Sequence, residues 1–249
     1  MASPFDDKAR WFDEHYGSTR GQVRLRLVLE RIDASFPAAP GRVLDAGGGS
    51  GAFAIPLAER GYEVTLLEPS KGMLEVARER VSASDVDLAV VEGSLDDRPP
   101  LASAPFDAVC CHAVLLYLDD PGAALSALRT NSRPGAVLSL LEKNRDGLSI
   151  RPGLTGDFDE AIRLLDDPVA SGDLGIQNRS RSVDEWDVLL RGSGWAPESW
   201  VGVRLFSDSA PEDLAPERFE RLLTLEREAG GRDPYRGVAR LVHITARAV

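Results

Sequence analysis

The residues in this 249-residue chain best suited to chemistry sit in one short run, Asp45-Ala46-Gly47-Gly48-Gly49-Ser50-Gly51. A strand-like segment, Arg42 to Ala46, leads into it, and helix-forming residues from Ala52 to Arg60 follow. Strand, glycine turn and helix together bring backbone amides close to a nucleotide-like ligand, because glycine allows a tight turn and carries no Cβ to obstruct the approach. Glu68 closes the next strand-like segment and can accept hydrogen bonds from both hydroxyls of a ribose, at about the 20-residue spacing of the ribose acid in dinucleotide folds. The loop alone leaves three readings open. Gly47-x-Gly49-x-x-Ala52 also satisfies a nicotinamide or flavin fingerprint, and a purely structural turn fits as well.

Other candidate groups are dispersed. His112 follows an apolar strand at the end where α/β folds bind ligands, so it reads either as a ligand contact or as a packed histidine. Arg24 lies with Arg20 and Arg26 on a helical segment, and Arg204 follows a late strand; each can clamp an acid or serve a solvated face. Cys110 and Cys111 are neighbours, unsuited to a disulfide with each other, and His15, His112 and His243 are scattered, so no metal site is expected. The cysteines, His243 and the tryptophans Trp186, Trp195 and Trp200 read as packing residues. No catalytic acid, base or nucleophile is assigned.

The elements that must position these groups alternate. Amphipathic helices occupy the first 40 residues until Pro37 and Pro40 break the pattern. Strands are expected at 42–46, 63–67, 86–91, 106–112 and 136–141, with helices at 52–60, from the cap residue Ser70, and from Pro121. That rhythm calls for right-handed crossovers and an α/β fold with a doubly wound, mostly parallel sheet. Residues 145–180 are irregular and too long for a simple loop, and are expected to form a lid or substrate cap. A helix over 183–191, a strand over 199–206, a helix over 216–228 and a closing strand over 240–246 complete the chain.

Composition narrows the partners. With 29 Lys+Arg against 40 Asp+Glu the formal net charge is −11, which argues against broad electrostatic capture of nucleic acid or anionic membrane. No apolar run approaches the roughly 20 residues of a spanning helix, and the N-terminus has no basic start followed by an apolar core, so a cytoplasmic protein without a membrane partner is expected.

Three further motifs separate the readings of the loop. Val43-Leu-Asp45-x-Gly47-x-Gly49-x-Gly51, the strand Phe106-Asp107-Ala-Val, and the turn Arg133-Pro134-Gly135-Ala-Val-Leu occur in order. In this combination the chain resembles the class I S-adenosylmethionine (SAM)-dependent methyltransferases, with a Rossmann-like domain spanning 1–249. The resemblance implies that Asp45 steadies the loop, that Gly47, Gly48, Gly49 and Gly51 pass beneath the methionine and ribose, and that Glu68 takes the ribose. It also places Pro69 and Met73 beside the cofactor, which leaves as S-adenosylhomocysteine (SAH), and sets Gly93-Ser94 against the adenine.

The ends of the chain extend the match. Phe5-Asp6-Asp7, Tyr16-Gly-Ser-Thr-Arg-Gly-Gln-Val-Arg24, Cys111-His112-Ala113-Val114-Leu115, Gly156-Asp157-Phe158-Asp159, Gly202-Val-Arg204-Leu-Phe206 and Asp233-Pro234-Tyr235 are similar to the bacterial tRNA 5-carboxymethoxyuridine methyltransferases. That similarity implies methyl transfer to a carboxylate on modified tRNA, with Arg24, Gly47, Gly48, Glu68, Ser94 and His112 on the cofactor and Asn144 and Arg204 towards the acceptor. The chain departs from the pattern where that family carries consecutive lysines, having Asp166, Asp167 and Asp173 there, with Arg179 and Arg181 near the end. A small carboxylate or hydroxyl metabolite therefore stands as the alternative acceptor, and a nicotinamide-dependent oxidoreductase as a more distant one.

Overall fold

The computed structural model describes residues 3, 5–97, 101–171 and 175–249. Two N-terminal helices, α1 (Ala9–Gly17) and α2 (Thr19–Ser35), precede β1 (Arg42–Ala46), α3 (Ala54–Glu59), β2 (Glu63–Glu68), α4 (Lys71–Ser82), β3 (Ala89–Glu92), β4 (Phe106–His112), α5 (Pro121–Thr130) and β5 (Ser132–Lys143). The second half holds α6 (Ile150–Thr155), α7 (Phe158–Asp166), β6 (Val169–Ser171), β7 (Gln177–Arg179), α8 (Val183–Gly192), β8 (Trp195–Val203), α9 (Pro216–Gly230) and β9 (Leu241–Ala248).

Seven strands form one sheet in the order β3-β2-β1-β4-β5-β9-β8. The pairings among β1 to β5 are parallel, whereas β9 runs antiparallel to both β5 and β8. Strand order reverses between β1 and β4, which opens a crevice at their carboxyl ends. Helices cover both faces, so the central strands are apolar on both sides: one core layer contains Val43, Leu66 and Ile32, and the other Leu44, Leu67, Trp186 and Trp195. Cys110 and Cys111 are free and fully buried, one in each layer.

The local signals explain most boundaries. Ser70 caps α4 by accepting a hydrogen bond from the Met73 amide, and Ser182 with Glu185 closes a capping box on α8. Some expected limits move. The helix expected over 52–60 is shorter, because residues up to Phe53 still belong to the glycine turn. The third strand starts at Ala89 rather than Val86, and the fifth extends in both directions to 132–143. The strand expected at 199–206 lies at 195–203: Gly194, with φ of 82°, admits its start, and Arg204, with φ of 63°, ends it. The stretch expected to be irregular, 145–180, contains a hairpin of two short helices and the two-stranded β6–β7 ribbon; within it, residues 172–174 lie outside the described residues.

Candidate functional site

The crevice at the switch point contains a cavity lined by Arg24, Asp45, Gly47, Gly48, Gly49, Glu68, Pro69, Met73 and His112, nine of the residues expected at the cofactor. The loop is fastened to the end of β2: the amides of Gly47 and Gly48 both donate to the Leu67 carbonyl, at 2.7 and 3.2 Å. Gly47, Gly49 and Gly51 have φ of 68°, 56° and 81°. At Gly48 the constraint is space, since a Cβ there would come 2.7 Å from Leu66 Cγ and 2.9 Å from Asp45 Oδ2. Only a residue without a side chain lets this stretch of backbone floor a cavity.

Two acids stand behind the loop. Glu68 accepts from the amides of Gly49 at 3.0 Å and Ser70 at 2.8 Å; burial pushes its pKa up and these two bonds oppose the rise. Asp45 is 2% exposed, and burial, reinforced by the nearby Glu68 charge, raises its pKa to about 7. Its Oδ2 has no partner. Arg24 places its guanidinium carbon 5.3 Å from the Tyr16 ring centroid, and its buried Nε is likewise unpartnered. His112 ends β4 with Nε2 bonded to Ser139 Oγ at 2.9 Å and Nδ1 unpaired. Its pKa lies well below the usual value, chiefly through burial.

The N-terminal segment roofs this cavity, a role sequence reasoning had not given it. Phe5, Phe12 and Tyr16 line it from that side, with Tyr117, Leu118, Val114, Ala113, Phe53 and Ser50 completing the wall. Phe5 packs edge-on to Tyr117 with centroids 5.1 Å apart. Asp6 accepts from Ser70 Oγ at 2.7 Å, and Asp13 accepts from Ser50 Oγ at 3.1 Å and Arg80 at 2.6 Å, so α1 is tied across both the glycine loop and α4. Gly72 permits the approach, since a Cβ there would lie 2.3 Å from the Asp6 carbonyl oxygen. The aromatic spacing in the first 17 residues was the available signal.

Another buried acid shapes the opposite wall. Glu142 accepts from the amides of Val114 at 3.1 Å and Leu115 at 2.8 Å, and burial raises its pKa to about 7. It thereby holds the turn that follows β4. Ala113, at the start of that turn, adopts φ of 59°, an unusual conformation for a residue with a side chain.

Five expected residues lie outside the cavity lining. Gly51 turns the loop by donating to the Gly48 carbonyl at 2.9 Å. Gly93 follows β3 and bonds to the Glu68 carbonyl, and the Ser94 hydroxyl accepts from the Asp96 amide. Asn144 is fully buried, its amide donating to the carbonyls of Gly237 at 2.8 Å and Ala239 at 2.9 Å and its oxygen accepting from Asp146. Arg204 pairs with Asp208, its Nε donating at 2.6 Å. Among the described residues of 145–180, none lines this cavity. The expectation that no residues cluster as metal ligands is also altered in detail: register pairs Asp45 with Cys110, and ligand atoms of Asp45, Cys110 and His112 lie within 4.8 Å of one another. All three are buried; Asp45 and His112 line the cavity, and Cys110 lies in the core.

A SAM molecule fits these groups. Buried, unpaired atoms of Asp45, Arg24 and His112 await polar partners, the Gly48 cradle has no room for a Cβ, and Glu68 stands at the end of β2 where a ribose acid is required.

Comparison with known proteins agrees with this geometry. Residues 44–140 match the family model described as a methyltransferase domain. The tRNA 5-carboxymethoxyuridine methyltransferase of Escherichia coli (strain K12) is 34% identical over 98% of this chain and 95% of its own length. A solved Thermotoga maritima SAM-dependent methyltransferase, described as a possible histamine N-methyltransferase, superposes with a TM-score of 0.65 at 20% identity, covering 98% of this chain and 97% of that one. A Burkholderia thailandensis 1,6-didemethyltoxoflavin-N1-methyltransferase, solved with SAH, gives 0.60 at 16% identity over 98% and 84% of the two chains. The chain is a class I SAM-dependent methyltransferase and belongs to the family of the tRNA 5-carboxymethoxyuridine methyltransferases.

Proposed function

We propose that this enzyme transfers the SAM methyl group to a carboxylate on a modified tRNA nucleoside, forming a methyl ester. The observation that carries the reading is the 34% identity to the E. coli enzyme over 98% of the chain, well beyond the shared methyltransferase core. SAM, when bound, supplies a methyl group activated by its sulfonium. Glu68 takes the ribose hydroxyls, Arg24 the cofactor carboxylate, and the glycines admit the chain of the ligand; Gly51, Gly93 and Ser94 support the loop and the adenine edge. The roof of Phe5, Phe12 and Tyr16 excludes water, so positioning and desolvation carry much of the acceleration. A carboxylate arrives ionised at neutral pH and needs no base to activate it. Arg204 and Asn144 belong to the acceptor side: Arg204 by exchanging Asp208 for the acceptor acid, Asn144 by holding the loop that carries it. Residues 145–180 border that side, since β7 packs against the turn Leu115–Tyr117.

The acids of α7 favour a second reading. Asp157 caps it and Asp159, Glu160 and Asp166 lie along it, where polyanion binding calls for cations. A small carboxylate or hydroxyl metabolite would avoid that repulsion. No helix among the described residues is long and apolar enough to cross a membrane, and either acceptor is met in the cytoplasm. Incubation with methyl-labelled SAM and either total tRNA or a small-molecule extract separates the readings. Label in tRNA as an alkali-labile ester supports the first; label in small molecules alone replaces it with the second.

A further inference from the structure

A polar chain crosses three strands behind the cofactor cavity. His112 on β4, Ser139 on β5 and His243 on β9 are joined through one hydroxyl: Ser139 Oγ lies 2.9 Å from His112 Nε2 and 2.7 Å from His243 Nε2. The three residues are 7%, 1% and 0% exposed, so water does not compete for these bonds. Both Nδ1 atoms lack partners in the structure.

A serine hydroxyl carries one hydrogen. Between two imidazole nitrogens it donates to one and accepts from the other, so two neutral rings must be opposite tautomers. Burial lowers the pKa of both rings, that of His243 to about 3 and that of His112 well below its usual value, which keeps them neutral. The groups facing His112 are Arg24, Asp45 and Cys110, and Arg31 faces His243. One ring therefore carries its hydrogen on Nδ1. On His243 that hydrogen would be an orphaned donor in a sealed core, a rarer and costlier defect than an unused acceptor. On His112 it stands at the cavity wall, within reach of a ligand oxygen, and a His112 ring nitrogen lies within 4.8 Å of an Asp45 carboxylate oxygen.

We infer that Ser139 and His243 are positioning residues that fix His112 as the Nδ1–H tautomer, making it a hydrogen-bond donor to a carboxylate oxygen in the cavity. His243 Nε2–H donates to Ser139, Ser139 donates to His112 Nε2, and His112 Nδ1–H faces the ligand. A ring so fixed has no free lone pair with which to accept a proton from the acceptor. This deepens the proposed function by removing His112 as the base that a hydroxyl acceptor would need, which favours an acceptor that arrives already anionic, and it rests on the cavity being the SAM site.

Nitrogen-15 NMR of histidine-labelled protein reads the tautomers directly. His112 should show a protonated Nδ1 and a bare Nε2, with the reverse at His243; a protonated Nε2 on His112 overturns the inference. Calorimetry with SAH then tests positioning. His243→Gln, whose side-chain amide can still donate to Ser139, should bind within about twofold of wild type, while Ser139→Ala and His243→Leu should bind roughly tenfold more weakly, the effect of one lost hydrogen bond. Equal affinities across the set, in variants with intact melting transitions, overturn the positioning role. If the wild-type protein bound no SAH, the cofactor reading would fail, while the ligand-free NMR spectrum would still decide the tautomer.

Discussion

Glu68 Oε2 accepts a hydrogen bond from the Gly49 amide at 3.0 Å, so the acid proposed for the ribose also fixes the glycine loop. Its Oε1 takes the Ser70 amide at 2.8 Å, and a carboxylate with about four lone-pair sites keeps capacity for ribose hydroxyls. In the proposed function, loop and ligand share one anchor.

Replacing that anchor should be costly to binding. Hydrogen bonds to a charged group contribute about 1.5–3 kcal/mol each, so Glu68→Ala should raise the Kd for SAH by about 100-fold. Glu68→Gln keeps an acceptor for one amide and should lose less. Calorimetry measures both, and an unchanged Kd for the alanine variant removes Glu68 from the site.

The loop glycines should differ in tolerance. A Cβ at Gly47 would lie 2.4 Å from Val114 Cγ2, whereas at Gly49 the nearest atom is Met73 Sδ at 3.9 Å. Both have positive φ, so each alanine carries about 1–2 kcal/mol of backbone strain, but Gly47→Ala must also displace the cavity wall. Gly49→Ala meets no protein atom closely and should cost only the backbone strain in melting temperature, but it lines the cavity and its Cβ should weaken SAH binding. Gly47→Ala should lose binding by at least about tenfold as well.

Glu142 gives a pH signature. Its folded pKa of about 7 exceeds the ordinary carboxylate value, so in the folded state it holds a proton that the unfolded chain has released. The stability it contributes is complete below about pH 4.5 and is lost as pH rises through about 7. Glu142→Gln cannot ionise, so denaturant titrations should show its stability relative to wild type improving from pH 5 to pH 8. A difference independent of pH would contradict the raised pKa.

Glu226 should act through structure. Fully buried on α9, it accepts from the amides of Leu205, Phe206 and Ser207 at 2.8, 2.9 and 2.7 Å. Glu226→Ala leaves these donors unsatisfied at about 1 kcal/mol or more each, so the melting temperature should fall by about 6–12 °C. The turn also follows Arg204, and methyl transfer should suffer beyond the loss of folded protein; activity per folded molecule checks this.

Much of the cavity floor was legible because its causes are local. Glycines after Asp45, an acid after an apolar strand and a serine before α4 act within a few residues of themselves, and β1, β2 and β4 lie within a residue of their expected places. The residues expected towards the acceptor were less legible. Asn144 and Arg204 carry suitable functional groups, but Asn144 is spent on the carbonyls of Gly237 and Ala239, and Arg204 is held by Asp208. These partners follow from how β5 meets the segment before β9 and how the chain leaves β8, which no spacing expresses.

The sequence by itself determined the cofactor class and the parallel core, since glycine conformation, apolar patterning and the acid Glu68 are properties of short segments. Tertiary structure alone decided that the N-terminal segment roofs the cavity, because ties such as Asp6 to Ser70 and Asp13 to Arg80 join segments some 65 residues apart. It also decided the company of His112. The ring could have been a lone packed histidine, and the pairing of β4 with β5 and β5 with β9 set it against Ser139 and, through that hydroxyl, His243. A hydrogen bond needs donor and acceptor within about 3 Å, and only the folded sheet supplies that proximity to residues so distant in the chain.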